Sequence, residues 1–123
     1  MHVCSILFVD ANENVRTIGE MCLENHFDVY VAESGLACLM MAQGDQPDLI
    51  VLDLKMSVMN GVTTLIRLPE NPLTAAIPVI LTCPQGHSYE VDLFRKLGII
   101  GCIEKPFDPI ALPAQIRKLT AAT

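Results

Sequence analysis

The chain has 123 residues, the length of one domain, and its hydrophobic fraction of 51% excludes intrinsic disorder. No apolar run approaches the roughly 18 residues of a membrane span, and no basic segment followed by a long apolar one marks a signal peptide. The net charge of −6 argues against direct nucleic-acid binding, because an acidic surface repels phosphates. We therefore expect a cytoplasmic domain that binds neither membrane nor nucleic acid.

The cysteine pattern supports neither a zinc site nor a redox motif. No two of the five cysteines have the CxxC spacing of zinc ribbons and thioredoxins. We interpret each of them as a small buried hydrophobe in a reducing cytoplasm. They lie at Cys4, Cys22, Cys38, Cys83 and Cys102.

The first half of the chain alternates short apolar runs with amphipathic segments. Runs rich in β-branched and other apolar residues predict strands over 4–9, 27–32 and 48–52. Apolar residues at helical spacing predict a helix over 12–26, capped by Asn12 or Asp10. A second helix is expected from the cap Ser34 to about Gly44.

The second half continues the alternation. A helix over 61–68 should stop at Pro69, and strands are predicted over 77–82 and 99–104. Between those strands lies a predicted helix over 85–97, which Gly98 should end. The last helix runs to about Leu119. Pro109 suits its first turn, whereas Pro113 requires either a late start or a kink.

Five strands that alternate with five helices predict an α/β fold. Strands that are apolar on both faces belong in a parallel, doubly wound sheet covered by helices on both sides. Ligands of such sheets bind at the carboxyl ends of the strands. Four side chains follow strands at this edge and are the candidate site: Asp10, Asp53, Thr82 and Lys105.

These four residue types have a coherent chemistry. Crowded carboxylates favour a divalent cation, and Mg²⁺ takes one or two carboxylates together with phosphate oxygens and water. An aspartate can attack phosphorus and form an aspartyl phosphate. A lysine and a metal then neutralise the phosphoryl oxygens, and a threonine hydroxyl can donate a hydrogen bond to one of them.

Four segments carry a resemblance to a known family. The segments are 6–10 (ILFVD), 52–61 (LDLKMSVMNG), 78–82 (PVILT) and 104–107 (EKPF). Together they resemble the receiver domains of bacterial two-component response regulators, over about residues 4–119. The resemblance implies a single (βα)₅ domain of flavodoxin-like strand order 2-1-3-4-5.

The resemblance also implies a role for each candidate residue. Asp53 resembles the aspartate that accepts a phosphoryl group from a histidine kinase or phosphotransfer protein. Asp10, Asp53 and the backbone carbonyl of Lys55 resemble the Mg²⁺ ligands. Thr82 resembles the switch hydroxyl, and Lys105 resembles the lysine that pairs with the phosphoryl group. Such a domain is a switch for a downstream output protein or domain, not a turnover enzyme.

The sequence departs from the family pattern at several positions. Ala11 replaces the second acid after strand 1, so we expect weak Mg²⁺ binding. Glu13 either reaches the metal or interacts with the dipole of its helix. Ser57 replaces a proline of the phosphoacceptor loop, Cys83 a small residue after the switch hydroxyl, and Cys102 an aromatic residue before the lysine.

Alternatives to this interpretation stay open to different degrees. Ala11 and Cys102 favour a degenerate receiver that binds proteins without being phosphorylated. A dehalogenase-like phosphohydrolase would need a second aspartate where Lys55 stands, and a flavodoxin would need a phosphate loop after strand 1. Ile99 and Ile100 either pack under the helix over 85–97 or form an apolar patch for a homodimer through that helix, strand 99–104 and the last helix.

Overall fold

A parallel sheet of five strands, in the order β2-β1-β3-β4-β5, forms the centre of the molecule. The computed structural model describes residues 2–56, 60–86 and 94–121. All four strand pairs are parallel, which confirms the expected doubly wound α/β architecture and its strand order. The strands are β1 (Ser5–Val9), β2 (Asp28–Ala32), β3 (Leu49–Asp53), β4 (Val79–Pro84) and β5 (Ile99–Lys105).

Four α-helices lie within the described ranges: α1 (Glu13–Leu23), α2 (Gly35–Asp45), α3 (Gly61–Arg67) and α4 (Leu112–Ala121). Short 3₁₀ turns cover Leu68–Glu70 and Arg95–Leu97. The side chains of Asn12 and Ser34 accept hydrogen bonds from backbone N–H groups in the first turns of α1 and α2, which confirms both as N-caps. No helix in these ranges is long and apolar enough to cross a membrane.

Proline and glycine set several boundaries as predicted, with small corrections. Helix α4 begins at Leu112, so Pro113 lies in its first turn and needs no hydrogen-bond donor; the late start is confirmed. Beyond α3 the chain continues through Pro69 as a 3₁₀ turn instead of stopping there. Strand β4 starts two residues later than predicted, at Val79.

The predicted helix over 85–97 falls largely outside the described residues, because 87–93 are not described. Its predicted end is confirmed. Gly98 adopts a positive φ of 96° and its N–H donates to the carbonyl of Arg95. A left-handed residue of this kind ends a helical turn, and glycine adopts it at the lowest steric cost.

Alternate residues of the strands pack on opposite sides of the sheet. On one side, which we call the α2–α3 side, Leu7, Ile50 and Leu81 pack with residues of α2 and α3. On the other, the α1–α4 side, Phe8, Val51 and Ile80 pack with residues of α1 and α4. This alternation decides which side of the sheet each strand-end residue occupies.

Candidate functional site

The four candidate residues share one side and one edge of the sheet. Each lies two positions after a strand residue that packs on the α1–α4 side, namely Phe8, Val51, Ile80 and Ile103. Because side chains alternate with a period of two, Asp10, Asp53, Thr82 and Lys105 continue on that side. In addition, Asp53 and Thr82 are direct neighbours in the pairing of β3 with β4. The structure therefore brings together the residues that the sequence nominated separately.

Lys105 links the two carboxylates. Its Nζ lies 2.8 Å from Asp10 Oδ2 and 3.4 Å from Asp53 Oδ1. The aspartate side chains are 2% and 3% exposed, whereas that of Lys105 is 24% exposed. Two buried negative charges thus share one ammonium group, which leaves the cluster with a net negative charge.

Both oxygens of Asp10 already have partners. Oδ2 accepts from Lys105, and Oδ1 accepts from the backbone N–H of Asn12 at 2.9 Å. The carbonyl oxygen of Asp10 accepts from Arg16 Nη1 at 2.8 Å. Next to it, Ala11 is exposed. The position at which the resemblance implies a second acid therefore contributes no carboxylate here.

Asp53 has one occupied oxygen. Its Oδ1 accepts from the backbone N–H of Lys55 at 3.1 Å and faces Lys105, while within the described residues Oδ2 makes no hydrogen bond or ion pair. Burial and the charge of Asp10 raise the pKa of Asp53, and Lys105 and the Lys55 N–H only partly oppose them. A buried carboxylate with one oxygen unengaged is suited to act as a nucleophile.

Lys105 stays charged despite its burial. Burial alone would lower the pKa of its ammonium group, but the hydrogen bond to Asp10 and the charge of Asp53 outweigh burial and raise that pKa. The cation therefore persists throughout the physiological pH range and can meet an incoming anion.

Gly61 lets α3 approach the end of β3 beside Asp53, a role the sequence analysis missed. Its N–H donates to the carbonyl of Leu54 at 3.2 Å. A Cβ at this position would collide with the carbonyl oxygen of Asp53 and would lie 2.7 Å from the Cα of Leu54. Only glycine permits this approach of α3 to the end of β3. The Asn60-Gly61 pair, a cap followed by a glycine at a helix start, was the available signal.

The donor set fits Mg²⁺ only in part. Mg²⁺ requires one or two carboxylates and otherwise keeps water or phosphate oxygens, and Asp53 and Asp10 meet that minimum. Across the described ranges, however, no group of three or more His, Cys, Asp or Glu side chains could hold a metal. Glu13 is exposed in the first turn of α1 and does not complete such a group. Its position suits the helix dipole instead.

Two of the cysteines are paired and Cys4 is exposed, which contradicts the interpretation of each cysteine as a small buried hydrophobe in a reducing cytoplasm. Cys83 on β4 and Cys102 on β5 form a disulfide, with Cα atoms 6.9 Å apart. The interpretation failed because a pair across neighbouring strands needs no CxxC spacing in the sequence. Cys4, Cys22 and Cys38 are free thiols, and burial raises the pKa of Cys38 to about 12.

Of the two alternatives for Ile99 and Ile100, the described residues support packing in the core over an exposed apolar patch. Ile99 is only 6% exposed and packs on the α2–α3 side, and half-buried Ile100 packs on the α1–α4 side. An irregularity in the pairing of β4 with β5 near Ile80 accompanies a break in the alternation of sides along β5. Ser57, another position of interest, lies outside the described residues.

An apolar groove adjoins Lys105. It has a volume of about 360 Å³ and lies between α1 and the segment after β5. In α1 the side chain of Ile18 is 43% exposed and that of Met21 63% exposed. The groove is lined by Val15, Ile18, Pro84, Lys105, Pro106, Phe107 and Pro109.

Comparison with known proteins agrees with this geometry. Residues 6–117 match the family model described as the response regulator receiver domain. The response regulator PleD of Caulobacter vibrioides is 36% identical over 117 residues, which are 94% of this chain and 26% of PleD. The transcriptional regulatory protein CseB of Streptomyces coelicolor is 30% identical over 113 residues, 91% of this chain and 47% of CseB.

A solved structure shows the same fold. The chemotaxis protein CheY4 of Vibrio cholerae superposes with a TM-score of 0.87 at 22% identity, over 96% of this chain and 99% of CheY4. The chain belongs to the receiver-domain family of two-component response regulators. It spans 26% of the length of PleD and 47% of the length of CseB, so both relatives are at least about twice as long as this chain.

Proposed function

We propose that the domain accepts a phosphoryl group on Asp53 from a phosphohistidine of a histidine kinase or phosphotransfer protein, and that it works in the cytoplasm. The single observation that supports this most strongly is the cluster in which Lys105 bridges buried Asp10 and Asp53. A buried cluster with a net negative charge costs stability, and such clusters are typical of functional sites. In the family to which the chain belongs, that function is phosphoryl transfer. The domain is a switch that reacts once per signal, not a turnover enzyme.

In the proposed transfer, Asp53 Oδ2 attacks phosphorus as the bond between phosphorus and the donor's imidazole nitrogen breaks. The imidazole leaves with the electron pair of the broken bond, and if its other nitrogen is not already protonated it takes up a proton from water. Lys105 lies beside Asp53 Oδ1, where its charge can pair with a phosphoryl oxygen. Thr82, the neighbour of Asp53 on β4, supplies a hydroxyl donor at the same edge.

Mg²⁺ would be held by Asp53, Asp10 and the backbone carbonyl of Lys55. When bound, it supplies positive charge that stabilises the phosphoryl oxygens. We propose weak binding, since Ala11 offers no carboxylate and Lys105 and Asn12 already engage both oxygens of Asp10. We expect Ala11→Asp to tighten Mg²⁺ binding ~10- to 100-fold, the range by which supporting groups change metal affinity. Titration calorimetry of wild type and variant measures it; equal affinities would contradict this assignment.

The groove beside Lys105 is our proposed docking surface for the phosphodonor protein. It is apolar, and it opens next to the group that meets the phosphoryl oxygens. For the output, we propose a partner surface formed by β5, which ends at Lys105, and by α4, which follows it along the chain. The helix over 85–97, the third part of the surface expected from the sequence, lies largely outside the described residues. A second copy of the domain is one partner that this surface would serve. Ile18→Glu should slow transfer from a donor protein and leave transfer from a small phosphodonor unchanged.

Intact mass after incubation with Mg²⁺ and acetyl phosphate tests the proposed function. We expect the wild type to gain a single acid-labile phosphate and Asp53→Asn to gain none, because the amide keeps the shape and removes the nucleophile. Asp48→Asn is the matched control, since this exposed aspartate lies at the opposite end of the same strand. If Asp53→Asn is labelled at the wild-type level, Asp53 is not the acceptor.

A second function, binding of proteins without phosphorylation, is favoured by one observation, the lack of a second acid at Ala11. It predicts no phosphate on the wild type under any Mg²⁺ concentration. It also predicts that Ala11→Asp gains phosphate, because the restored acid completes the missing ligand set. A wild type that is labelled as readily as the variant would rule it out.

A further inference from the structure

The Cys83–Cys102 pair is close along the chain to two residues of the site, Thr82 and Lys105. Cys83 directly follows Thr82 on β4, and Cys102 lies three residues before Lys105 on β5. Both cysteines pack on the α2–α3 side, opposite the side that carries Thr82 and Lys105. Their Cα separation of 6.9 Å is below the roughly 7 Å beyond which two strands cannot be bridged without backbone movement.

We propose that this pair is a redox-modification site: a hydroperoxide converts the two thiols to the disulfide, and the disulfide slows phosphorylation of Asp53. The modification itself does not depend on the proposed function, whereas its effect on Asp53 does. In a reducing compartment a disulfide is usually transient and regulatory, so reversible formation is the expected behaviour of this pair in the cytoplasm we propose.

The chemistry starts at the more accessible cysteine. Cys102 is half-buried and Cys83 is fully buried, so the Cys102 thiolate attacks one peroxide oxygen. The O–O bond breaks, leaving a sulfenic acid on Cys102 and a hydroxide that takes up a proton. The Cys83 thiolate then attacks that sulfur, and the hydroxide that it displaces takes up a proton and leaves as water. The two thiols lose two electrons, and with hydrogen peroxide as the hydroperoxide the products are two water molecules. A dithiol reductant reverses the step by thiol–disulfide exchange.

The other cysteines lack a partner for this reaction. Cys4, Cys22 and Cys38 are free, and the Cys38 thiol is fully buried with a pKa of about 12. A sulfenic acid formed on any of these three would have no paired cysteine with which to close a disulfide, in contrast to Cys83 and Cys102. Oxidation should therefore stop at one intramolecular disulfide, with exposed Cys4 and half-buried Cys22 as the competing thiols.

Coupling to the phosphoryl site follows from the backbone. The pairing of β4 with β5 continues from Thr82 opposite Ile103 to Pro84 opposite Lys105. The disulfide joins Cys83, which lies opposite Glu104, diagonally to Cys102, which lies opposite Leu81. This covalent link at the start of the stretch limits relative movement of the two strand ends that carry Thr82 and Lys105. Adjusting those two side chains around a phosphoryl group requires such movement, so the reduced domain should respond faster.

The modification is tested by treating the reduced chain with hydrogen peroxide and mapping disulfide-linked peptides after alkylation of free thiols. We expect a Cys83–Cys102 peptide, three alkylated thiols, and a melting temperature roughly 10 °C higher than in the reduced form. Cys4→Ala should give the same linked peptide with two alkylated thiols and the same rise in melting temperature, and Cys102→Ala should lose both the linked peptide and the rise. Oxidation that leaves Cys83 and Cys102 alkylated, or that links either of them to Cys4, overturns the site.

The regulatory effect is tested by the rate of phosphate gain from acetyl phosphate. We expect oxidised wild type to react at least about fivefold more slowly than reduced wild type, within the usual range of coupling between two sites. Peroxide-treated Cys102→Ala should match its untreated form. A smaller difference in the wild type overturns the regulatory effect. If neither form gains phosphate, the proposed function and this effect both fail, and peptide mapping still decides the modification.

Discussion

The two ends of β3 carry aspartates with opposite electrostatics. Asp48, just before the strand, is exposed, and Asp53, its last residue, is buried. The hydrogen bond from the N–H of Cys4 lowers the pKa of Asp48, desolvation opposes it, and the hydrogen bond from the N–H of Ser5 adds to the net lowering. Burial and the charge of Asp10 raise the pKa of Asp53. The same residue type thus stabilises the fold at one end and costs stability at the other.

The difference follows from what each edge of a parallel sheet offers a carboxylate. At the amino edge, the backbone N–H groups of Cys4 and Ser5, at the start of β1, donate hydrogen bonds to Asp48 Oδ2 with N···O distances of 2.8 and 3.1 Å. At the carboxyl edge, a second carboxylate and a single ammonium group surround Asp53. A carboxylate that backbone donors satisfy is structural, whereas one that is crowded and buried is available for chemistry.

Removal of the shared cation, Lys105, should have the largest effect on the free energy of unfolding. Lys105→Met leaves Asp10 and Asp53 buried without a counter-ion, which typically costs about 3 kcal/mol. Urea denaturation at neutral pH measures the loss of unfolding free energy. Exposed Lys118→Met on α4 is the control and should cost less than about 0.5 kcal/mol. Similar values for both variants would show that the triad is not an energetic unit.

The second-largest effect should come from adding a methyl group at Gly61, beside the carboxyl edge, with Gly44 in α2 as the comparison. Gly61→Ala places a Cβ against the end of β3, so we expect a loss of about 2 kcal/mol and slower phosphorylation. Gly44→Ala near the end of α2 meets no atom within 4 Å and should stabilise the helix by about 0.5 kcal/mol. Thermal unfolding of both variants checks the signs. A stabilising Gly61→Ala would disprove the close approach.

The aspartates themselves give the smallest effects, with opposite signs. At neutral pH, Asp53→Asn should stabilise the fold by about 1 kcal/mol by removing a buried charge, as functional residues often allow. Asp48→Asn should destabilise it by about 1 kcal/mol, because charged acceptors bind backbone donors more strongly. Chemical denaturation of the two variants and wild type measures both values.

The pH dependence of these two variants sharpens the contrast. The pKa of Asp53 in the folded state is raised. Its buried charge therefore disappears as the pH falls from neutral toward the ordinary pKa of an aspartate, and the stability gained by Asp53→Asn should shrink. The folded pKa of Asp48 is lowered, so its contribution is lost only as the pH falls below its ordinary value, and the cost of Asp48→Asn should persist until then. Parallel pH profiles would refute the comparison.

The site was predictable because its residues are all strand-end residues. A parallel sheet brings the carboxyl ends of its strands together, so their positions in the sequence were sufficient to group Asp10, Asp53, Thr82 and Lys105. Gly61 was missed because its role depends on how closely two backbones approach. The sequence analysis gave packing of Ile99 and Ile100 as one of two alternatives but not the side that each occupies, because an irregularity in the pairing of β4 with β5 breaks the alternation of sides along β5.

The sequence by itself determined the alternation of strands and helices, the caps at Asn12 and Ser34, and the residues available at the carboxyl edge. These depend on local patterns of hydrophobicity and hydrogen bonding, which a linear chain displays directly. Tertiary structure alone decided that Lys105 bridges the two aspartates and that Cys83 and Cys102 are paired. Those contacts join residues far apart in sequence, and their distances are set by strand register and by the side of the sheet that each residue occupies.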